Sequence, residues 1–239
     1  MNELLETILA TYGGLDRWRS LRQVSCSILV GGRLWGIKGV DMGSTPVRVT
    51  CQLHEQKTQV EPFGNPGWVM TMTPARVAIQ HKAGGVIAER DDPKSAFAEH
   101  AHDTPWDPLH LAFFNGYTTW TSLAWPWIFS EPDVQTWEID PMIENGEVWR
   151  SLRVRLPGRF VSHHAEQTLR VGPDGLIRRH DYEVDIWGGS PVAHYLFEHV
   201  EVQGLTFPTR HRSYLRDADD SVPKDLVTVS TDMSDWAVR

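Results

Sequence analysis

The sequence predicts a mainly β protein in which a curved antiparallel sheet, or an incomplete β-barrel, wraps around helices. Three observations lead to this fold class. Apolar and polar residues alternate along most of the chain, helical spacing is confined to the N-terminus and to residues 93–129, and short glycine-rich turns separate several strand-like runs. Alternation gives a strand one apolar face. We therefore expect a sheet that encloses the helices with its apolar face.

The chain begins with a predicted helix over residues 3–11, where apolar residues recur every three or four positions. Gly13-Gly14 ends this helix, and residues 15–21 predict a second, shorter one. Strands follow, and their predicted ranges are 24–30, 34–40, 47–53, 57–62, 67–72, 76–81 and 86–90. Gly31-Gly32 suits the positive φ angles of a tight turn and predicts a hairpin between the first two.

Helical spacing returns in the middle of the chain, at residues 93–129, and Asp107-Pro108 is a suitable N-cap and first residue for a helix there. Further strands are predicted at 147–156, 165–171, 176–187, 192–203, 207–215 and 226–231. Neither a long linker nor an internal repeat divides the sequence. We expect one domain over residues 1–239, built as a sheet around the N-terminal helix and a central helical insertion, with a cavity between them.

Composition excludes several functions. The chain has 239 residues, a net charge of -8 and only 23 basic residues against 31 acidic ones, which argues against a nucleic-acid partner. The first residues carry acids where a signal peptide needs basic residues, and no run reaches the roughly 20 apolar residues that span a bilayer. We expect a cytoplasmic protein without membrane insertion. The two cysteines, in strand-like runs, predict small buried apolar side chains.

Residues 12–22, which read Tyr-Gly-Gly-Leu-Asp-Arg-Trp-Arg-Ser-Leu-Arg and lead directly into a strand, resemble the start of LolA-like proteins. Residues 104–110 and 175–182 also look like segments of uncharacterised bacterial proteins of this type. That family includes carriers of bacterial lipoproteins. The resemblance implies an incomplete β-barrel closed by helices around a hydrophobic cavity.

The strand predicted at 176–187 contains the main candidate site. Alternation places on its inner face Leu176, Arg178, His180, Tyr182, Val184 and Ile186. If the turn at 188–191 pairs Trp187 with Val192, the cross-strand pairs are His180 with His199, Tyr182 with Phe197, and Arg178 with Glu201. On the outer face, Asp185 then faces His194 as an exposed ion pair. A slip of one residue would exchange the faces of the partner strand.

These side chains could perform acid–base chemistry. His180 would be the general base, Tyr182 the oxyanion donor or acid, and His199 a second acid or base, while Arg178 orients the substrate. The structural alternative is a cross-strand network whose polar groups satisfy one another. Further substrate contacts are predicted from large aromatic residues, namely Trp35, Trp68, Trp106, Trp120 and Phe197.

Neither a metal nor a nucleotide cofactor is expected. The cluster of His100, His102, Asp103, Asp107 and His110 has no spacing typical of a closed metal site. No Gly-x-Gly-x-x-Gly run follows a strand, and there is no P-loop. The main prediction is a cofactor-independent enzyme, a lyase, isomerase or cyclase, acting on an apolar or aromatic small molecule. The alternative is a non-catalytic carrier or sensor of a lipid-like ligand, and the sequence leaves a homodimer open.

Overall fold

The computed structural model describes residues 2–217 and 219–239, and in these ranges it contains four α-helices and thirteen β-strands. The helices are α1 (Glu3–Thr11), α2 (Leu15–Ser20), α3 (Leu34–Ile37) and α4 (Pro108–Ala124). The strands are β1 (Gln23–Gly31), β2 (Val47–Gln52), β3 (Lys57–Glu61), β4 (Trp68–Thr73), β5 (Arg76–His81), β6 (Val86–Asp91), β7 (Gln135–Glu144), β8 (Glu147–Arg155), β9 (Glu166–Val171), β10 (Ile177–Val184), β11 (Ser190–Val202), β12 (Leu205–Leu215) and β13 (Val229–Val238). Short 3₁₀ turns cover Ser95–Phe97, Trp127–Ser130 and Asp185–Trp187.

All thirteen strands form one antiparallel sheet with the order β6-β5-β4-β3-β2-β1-β13-β12-β11-β10-β9-β8-β7. The two edges, β6 and β7, are not paired with each other, so the sheet is an incomplete barrel. This confirms the predicted fold class. β1 pairs with β2 on one side and with β13 on the other, so that the first and last strands meet in the interior of the sheet.

Helix α4 packs against β2 to β6 on the apolar side of the sheet. Its predicted start is confirmed, because the Asp107 side chain accepts hydrogen bonds at 2.8 Å from the backbone N–H groups of Leu109 and His110. The helix approaches the sheet closely at Gly116. A Cβ atom there would lie 2.4 Å from Cβ of Met72, so only glycine fits at this position.

Helix α1 is anchored to the hairpin between β11 and β12 by the Tyr-Gly-Gly segment that resembles LolA-like proteins. The Tyr12 carbonyl accepts a hydrogen bond from Thr206 N–H at 3.2 Å. Gly13 has a φ of 100°, and a Cβ atom on it would lie 2.0 Å from the Gly204 carbonyl oxygen. The segment therefore needs glycine for both its backbone conformation and its close packing.

The hairpin predicted at Gly31-Gly32 is wrong, and so is the strand at 34–40. The backbone N–H groups of Arg33 and Leu34 donate to the carbonyls of Val227 and Thr228, at 3.1 and 3.0 Å. These bonds turn the chain into α3 rather than back along β1. The partner of β1 is instead β2, which begins ten residues after α3 ends.

Two further differences concern the second half of the sheet. The edge strand β7 was not predicted from the sequence, because its mixed polar and apolar residues are mostly solvent-exposed and its alternation is weak. The register of β10 and β11 is the second difference: His180 pairs with His194, and Tyr182 pairs with Val192. Residues 185–187 form a 3₁₀ turn instead of continuing the strand, which moves the pairing by five residues. No helix among the described residues is long and apolar enough to cross a membrane.

Candidate functional site

A row of adjoining cavities lies between α4 and the sheet. The outermost one, of about 300 Å³, opens between the loop at 41–45 and the loop at 62–66 and has Leu111 and Asn115 of α4 in its wall. A second cavity of about 60 Å³ follows and shares Met42, Val47, Val60 and Asn115 with the first. The row therefore leads from the surface into the space beneath the helix.

The inner part of the row continues toward β10 and β11. A cavity of about 70 Å³ shares Phe114, Thr118, Thr119, Val229 and Thr231 with the second one. A terminal cavity of about 20 Å³ follows, and its walls include Ser122, His194 and His211, which also line the cavity before it. Each of the two larger inner cavities can hold several water-sized groups, and the terminal one can hold about one.

The lining changes in character along the row. The second cavity is mostly aliphatic, with β-branched residues from β1, β2, β3 and β13, namely Ile28, Val30, Val47, Val49, Val60 and Val229. Helix α4 contributes hydroxyl groups through Thr118, Thr119 and Ser122. Within the described residues, no Asp, Glu, Lys or Arg lines the three inner cavities, and Asp41 at the mouth is the single charged group of the row.

Four histidines surround the inner end of the row. His194 Nε2 lies 2.9 Å from His211 Nδ1, and His211 Nε2 lies 3.2 Å from the Pro208 carbonyl oxygen. His180 Nε2 lies 2.7 Å from Gln167 Oε1. His163 stacks on Tyr182 with ring centroids 4.2 Å apart. The imidazoles are thus held by specific partners on β9, β10, β11 and β12.

Burial holds all four imidazoles in the neutral form. It lowers the pKa of His163 to about 3 and that of His211 to about 4. It also brings the pKa values of His180 and His194 well below the ordinary value, and the neighbouring imidazoles lower them further. Desolvation raises the pKa of Tyr182 well above its ordinary value. At neutral pH the inner end is therefore polar but uncharged.

The structure brings two of the predicted catalytic residues together and places the third elsewhere. His180 and Tyr182 lie on the inner face of β10, with ring centroids 4.5 Å apart. His199, on β11, lies next to the end of α1, and its Nε2 atom is 3.1 Å from the Tyr12 hydroxyl. The predicted pairing of His180 with His199 is corrected by the register, which places His194 opposite His180.

Arg178 and Phe197 lie on a different surface from His180. A register shift between Ile177 and Arg179 takes Arg178 out of the alternation, and its guanidinium pairs with Asp174 at 2.7 Å. Phe197 is 42% exposed. Together with His199 they line an open groove of about 620 Å³, which shares Leu196 with the terminal cavity. The expected pairings of Tyr182 with Phe197 and of Arg178 with Glu201 do not form.

The four tryptophans predicted as substrate contacts also lie in different places. Trp35 lines the second cavity, and its Nε1 donates to the Gly31 carbonyl at 2.8 Å. Trp120 is buried against the sheet and donates to the Gln52 carbonyl at 2.7 Å. Trp106 packs on Phe114, and Trp68 packs edge-on against His81. Of the four, only Trp35 contacts the row of cavities in the part of the chain that the structure describes.

Sequence reasoning missed His163, His194 and His211 as members of this cluster. His194 was expected on the outer face opposite Asp185, because the register was misplaced by an odd number of residues and the faces of β11 were exchanged. Asp185 instead lies 2.7 Å from His164. Val192, His194 and Leu196 alternate along β11, and the two apolar residues indicate that this face points inward. This alternation was the signal in the sequence that could have placed His194 in the cluster.

The histidine cluster at 100–110 has structural partners. Asp107 and His110 form the capping box of α4, and His102 stacks on Trp187 with centroids 4.5 Å apart. Nearby, the fully buried Lys38 donates to the carbonyls of Ala101, His102 and Thr104, at 3.2, 2.7 and 3.2 Å. In residues 2–217 and 219–239 no group of three or more His, Cys, Asp or Glu side chains is placed to hold a metal ion.

Comparison with known proteins defines the fold class. No protein-family model matches the sequence, and no curated protein matches it. Among solved structures, a domain provisionally named an outer membrane lipoprotein-sorting protein, from Vibrio parahaemolyticus, aligns over 99% of this chain and 91% of its own, with 9% identity and a TM-score of 0.56. A DUF1329 family protein from Desulfovibrio piger aligns over 98% and 90%, with 9% identity and a TM-score of 0.53.

A LolA superfamily protein from Nitrosomonas europaea aligns over 94% of this chain and 91% of its own, with 13% identity and a TM-score of 0.48. The chain shares its fold with the Vibrio parahaemolyticus domain and the Desulfovibrio piger protein, in agreement with the incomplete barrel that the resemblance of residues 12–22 implied.

These findings correct the functional prediction. The predicted enzyme, a lyase, isomerase or cyclase, is not supported, because the Vibrio parahaemolyticus domain that shares the fold is named for lipoprotein sorting and not for such a reaction. The site itself explains the error. A general base works best when its pKa lies near the ambient pH, whereas burial holds the pKa of His180 far below it. His180 and Tyr182 lie on one inner face, as predicted, but burial lowers the pKa of His180 and raises that of Tyr182, which makes the first a weaker base and the second a weaker acid.

Proposed function

We propose that this protein binds and carries an apolar molecule with a hydrocarbon chain in the row of cavities beneath α4. The observation that carries the proposal is the row itself, which starts at the surface and ends at a polar, uncharged cluster. Apolar walls with a few convergent polar groups are typical of small-molecule sites. The similarity to a domain provisionally named for lipoprotein sorting supports the same proposal.

The aliphatic second cavity would hold the hydrocarbon part of the ligand. Val49 and Val60 of its wall are fully buried, and Trp35 closes one side. Each methylene group transferred from water into such surroundings contributes about 0.8 kcal/mol. The second cavity has about 60 Å³ of free space, enough for part of a hydrocarbon chain.

The predicted site residues would then have new roles. His180 and Tyr182 would contact the polar end of the ligand, and Trp35 its apolar part. Trp106, which packs on Phe114, and Trp120, which belongs to α4 and donates to the Gln52 carbonyl, would hold that helix against the sheet. Trp68 and the groove residues Arg178, Phe197 and His199 have no place in this proposal.

Two sequence-based expectations belong to this proposal as well. Cytoplasmic location is tested by cell fractionation of the full-length native protein, with recovery in the cytoplasmic fraction as the expected result. A homodimer would be detected as a doubled mass in light scattering. The exposed edge strand β7 offers a surface for such pairing, since Ile143 at its end is 73% exposed.

The carrier proposal is tested by closing the row from inside. Val229 lies in the wall shared by the second and third cavities, and Val229→Trp would fill that space. We expect at least a tenfold loss of affinity for the neutral apolar probe N-phenyl-naphthylamine, measured by its fluorescence. Val148→Trp is the control, because Val148 is 55% exposed on β8. Equal probe binding by both variants and the unmodified protein would contradict the proposal.

A further inference from the structure

The hydrogen bonds at the inner end determine which nitrogen of each imidazole carries the proton. Gln167 Nε2 donates to the His164 carbonyl at 2.5 Å, so Gln167 Oε1 is the atom that faces His180. An amide oxygen only accepts, and His180 Nε2 must therefore donate to it. In a neutral ring the other nitrogen, Nδ1, is then an acceptor. Among the described residues, this buried Nδ1 has no hydrogen-bond partner.

The same reasoning determines His194. The Pro208 carbonyl accepts a hydrogen bond from His211 Nε2, so Nδ1 of His211 is an acceptor. His194 Nε2 must donate to that Nδ1 across 2.9 Å. His194 Nδ1 is consequently the acceptor of its ring. Two neighbouring imidazoles, with ring centroids 6.2 Å apart, thus each present a lone pair and have already used their only N–H group.

Both rings line the terminal cavity, and His194 also lines the larger cavity before it. His180 is 1% exposed, so its unpaired acceptor cannot turn to solvent. Leaving a buried acceptor without a partner costs about 1–3 kcal/mol. The space of about 20 Å³ is large enough for one small polar group. A hydrogen-bond donor is therefore the complement that Nδ1 of His180 lacks.

We infer that the ligand is an uncharged hydroxylated lipid, such as a long-chain alcohol or a monoacylglycerol, whose hydroxyl end donates to the imidazole acceptors of His180 and His194. This inference rests on the proposed carrier function. It names the class of head group that the cavity selects. The Ser122 hydroxyl on α4 lines the same terminal cavity, and the Tyr182 hydroxyl on β10 lines the cavity before it, so either can accept a hydrogen bond from a second hydroxyl or donate one to it.

An anionic head group is the wrong complement for this end. No Lys or Arg of the described residues lines the inner cavities, and the N–H groups of His180 and His194 are committed to Gln167 and His211. A carboxylate or phosphate placed there would be buried without a counter-ion and beside the acceptor nitrogens of two imidazoles, which is strongly unfavourable. A methyl ether would fit the space but would leave the acceptors unpaired.

The test compares three ligands of equal chain length on the unmodified protein: a saturated alcohol, its methyl ether and the corresponding carboxylate at a pH where it is ionised. Displacement of N-phenyl-naphthylamine gives the affinities. We expect the alcohol to bind about tenfold more tightly than the ether, a difference of about 1.4 kcal/mol, and the carboxylate to bind more weakly than both.

Variants locate the effect. In both His194→Phe and His180→Phe, the ratio of the affinity for the alcohol to the affinity for the ether should fall close to one. His81→Phe is the matched control, because His81 lies exposed on β5, and it should keep the tenfold preference. If a variant fails to fold, as its melting curve would show, the comparison of the three ligands on the unmodified protein still tests the head-group inference.

The outcomes separate this inference from the carrier proposal. If all three ligands bind with equal affinity, or the carboxylate binds best, the head-group inference is wrong, while the binding of an apolar ligand in the row still stands. If none of the ligands displaces the probe, the carrier proposal itself fails. A tenfold preference that persists in both histidine variants would also overturn the assignment to these imidazoles.

Discussion

Lys38 shows how one side chain can hold a loop in place from the interior. Its ammonium group donates to three backbone carbonyls of the segment that precedes α4, and the rings of Trp106 and Trp187 lie 5.1 and 5.6 Å from it. Burial lowers the pKa of Lys38 to about 8, so the group still carries its charge at neutral pH. Its position resembles that of a bound cation surrounded by carbonyl oxygens.

We predict that Lys38→Met lowers the free energy of unfolding by about 3 kcal/mol, because three buried carbonyls would lose a charged donor. Urea unfolding measures the change. Lys82→Met is the control, since the Lys82 side chain is 49% exposed and its pair with Glu61 should contribute less than about 1 kcal/mol. A loss of similar size in both variants would show that Lys38 has no special role.

The buried imidazoles predict a pH dependence of stability. Their pKa values are lowered in the folded protein, so between about pH 6.5 and the lowered values the unfolded chain binds more protons. Stability should therefore be greatest above about pH 6.5 and fall as the pH decreases, by up to about 1.4 kcal/mol per pH unit for each histidine.

This dependence is measured by urea unfolding between about pH 7 and about pH 5, above the range in which most carboxylates titrate. His163→Phe should reduce the slope, because the pKa of His163 is lowered to about 3, below the measured range, so that the folded protein leaves it neutral while the unfolded chain protonates it. Substitution of the exposed His81 by Gln should leave it unchanged. An equal slope in all three proteins would rule out the buried imidazoles as its source.

At the scale of elements, a second buried polar cluster ties three strands and a loop together on the outer face of the sheet. Glu144 at the end of β7 accepts hydrogen bonds from Tyr195 of β11 at 2.8 Å and from Lys224 at 2.6 Å. Arg179 of β10 lies 3.2 Å from the same carboxylate, and these partners hold the pKa of Glu144 below its ordinary value despite burial. Lys224 belongs to the loop between β12 and β13.

We predict that Glu144→Gln destabilises the protein by about 1.5 kcal/mol, because Arg179 and Lys224 would lose a charged acceptor while Arg179 keeps its ion pair with Asp181 at 2.5 Å. It should also increase hydrogen exchange in residues 219–228. Glu138→Gln, on the same strand, is the control. The Glu138 pair with Arg150 at 2.8 Å is solvent-exposed and should contribute little. Unchanged exchange in the loop would show that the cluster does not anchor it.

Elements with a strong local signal could be predicted from the sequence, and elements set by distant partners could not. Helix α4 was predicted because Asp107 and Pro108 mark its start within the chain itself. The sequence of residues 34–40 by itself predicts a strand. The hydrogen bonds that turn this segment into α3 come from residues 227 and 228, which are far away in the sequence. The same limit applies to the site: the inner face of β10 follows from alternation, but its partner depends on a 3₁₀ turn.

On the scale of the whole molecule, we propose that the chain is a single domain. One hydrophobic core includes residues from both halves of the sheet, among them Val49 of β2 and Leu169 of β9. Helix α4 packs on β2 to β6, while its hydroxyl groups face the cavity toward β10 to β13. Neither half of the sheet covers its own apolar face alone.

We therefore predict one cooperative unfolding transition. Tryptophan fluorescence and far-ultraviolet circular dichroism should give the same midpoint in urea, within error. The tryptophans report on both halves, since Trp35 and Trp120 lie on the side of β1 to β6 and Trp149 lies on β8. Separate midpoints for the two signals would indicate two independent units.

The pairing of β1 with β13 has a kinetic consequence. Val24 lies beside Val238, at opposite ends of the chain, whereas nearly every other strand pairs with its immediate neighbour in sequence. Closing this seam has to overcome the entropy of a loop that contains almost all of the protein, and folding rates fall as contacts become less local. The two meanders can form early from local contacts, and the joining of the first and last strands is then expected to limit the rate of folding.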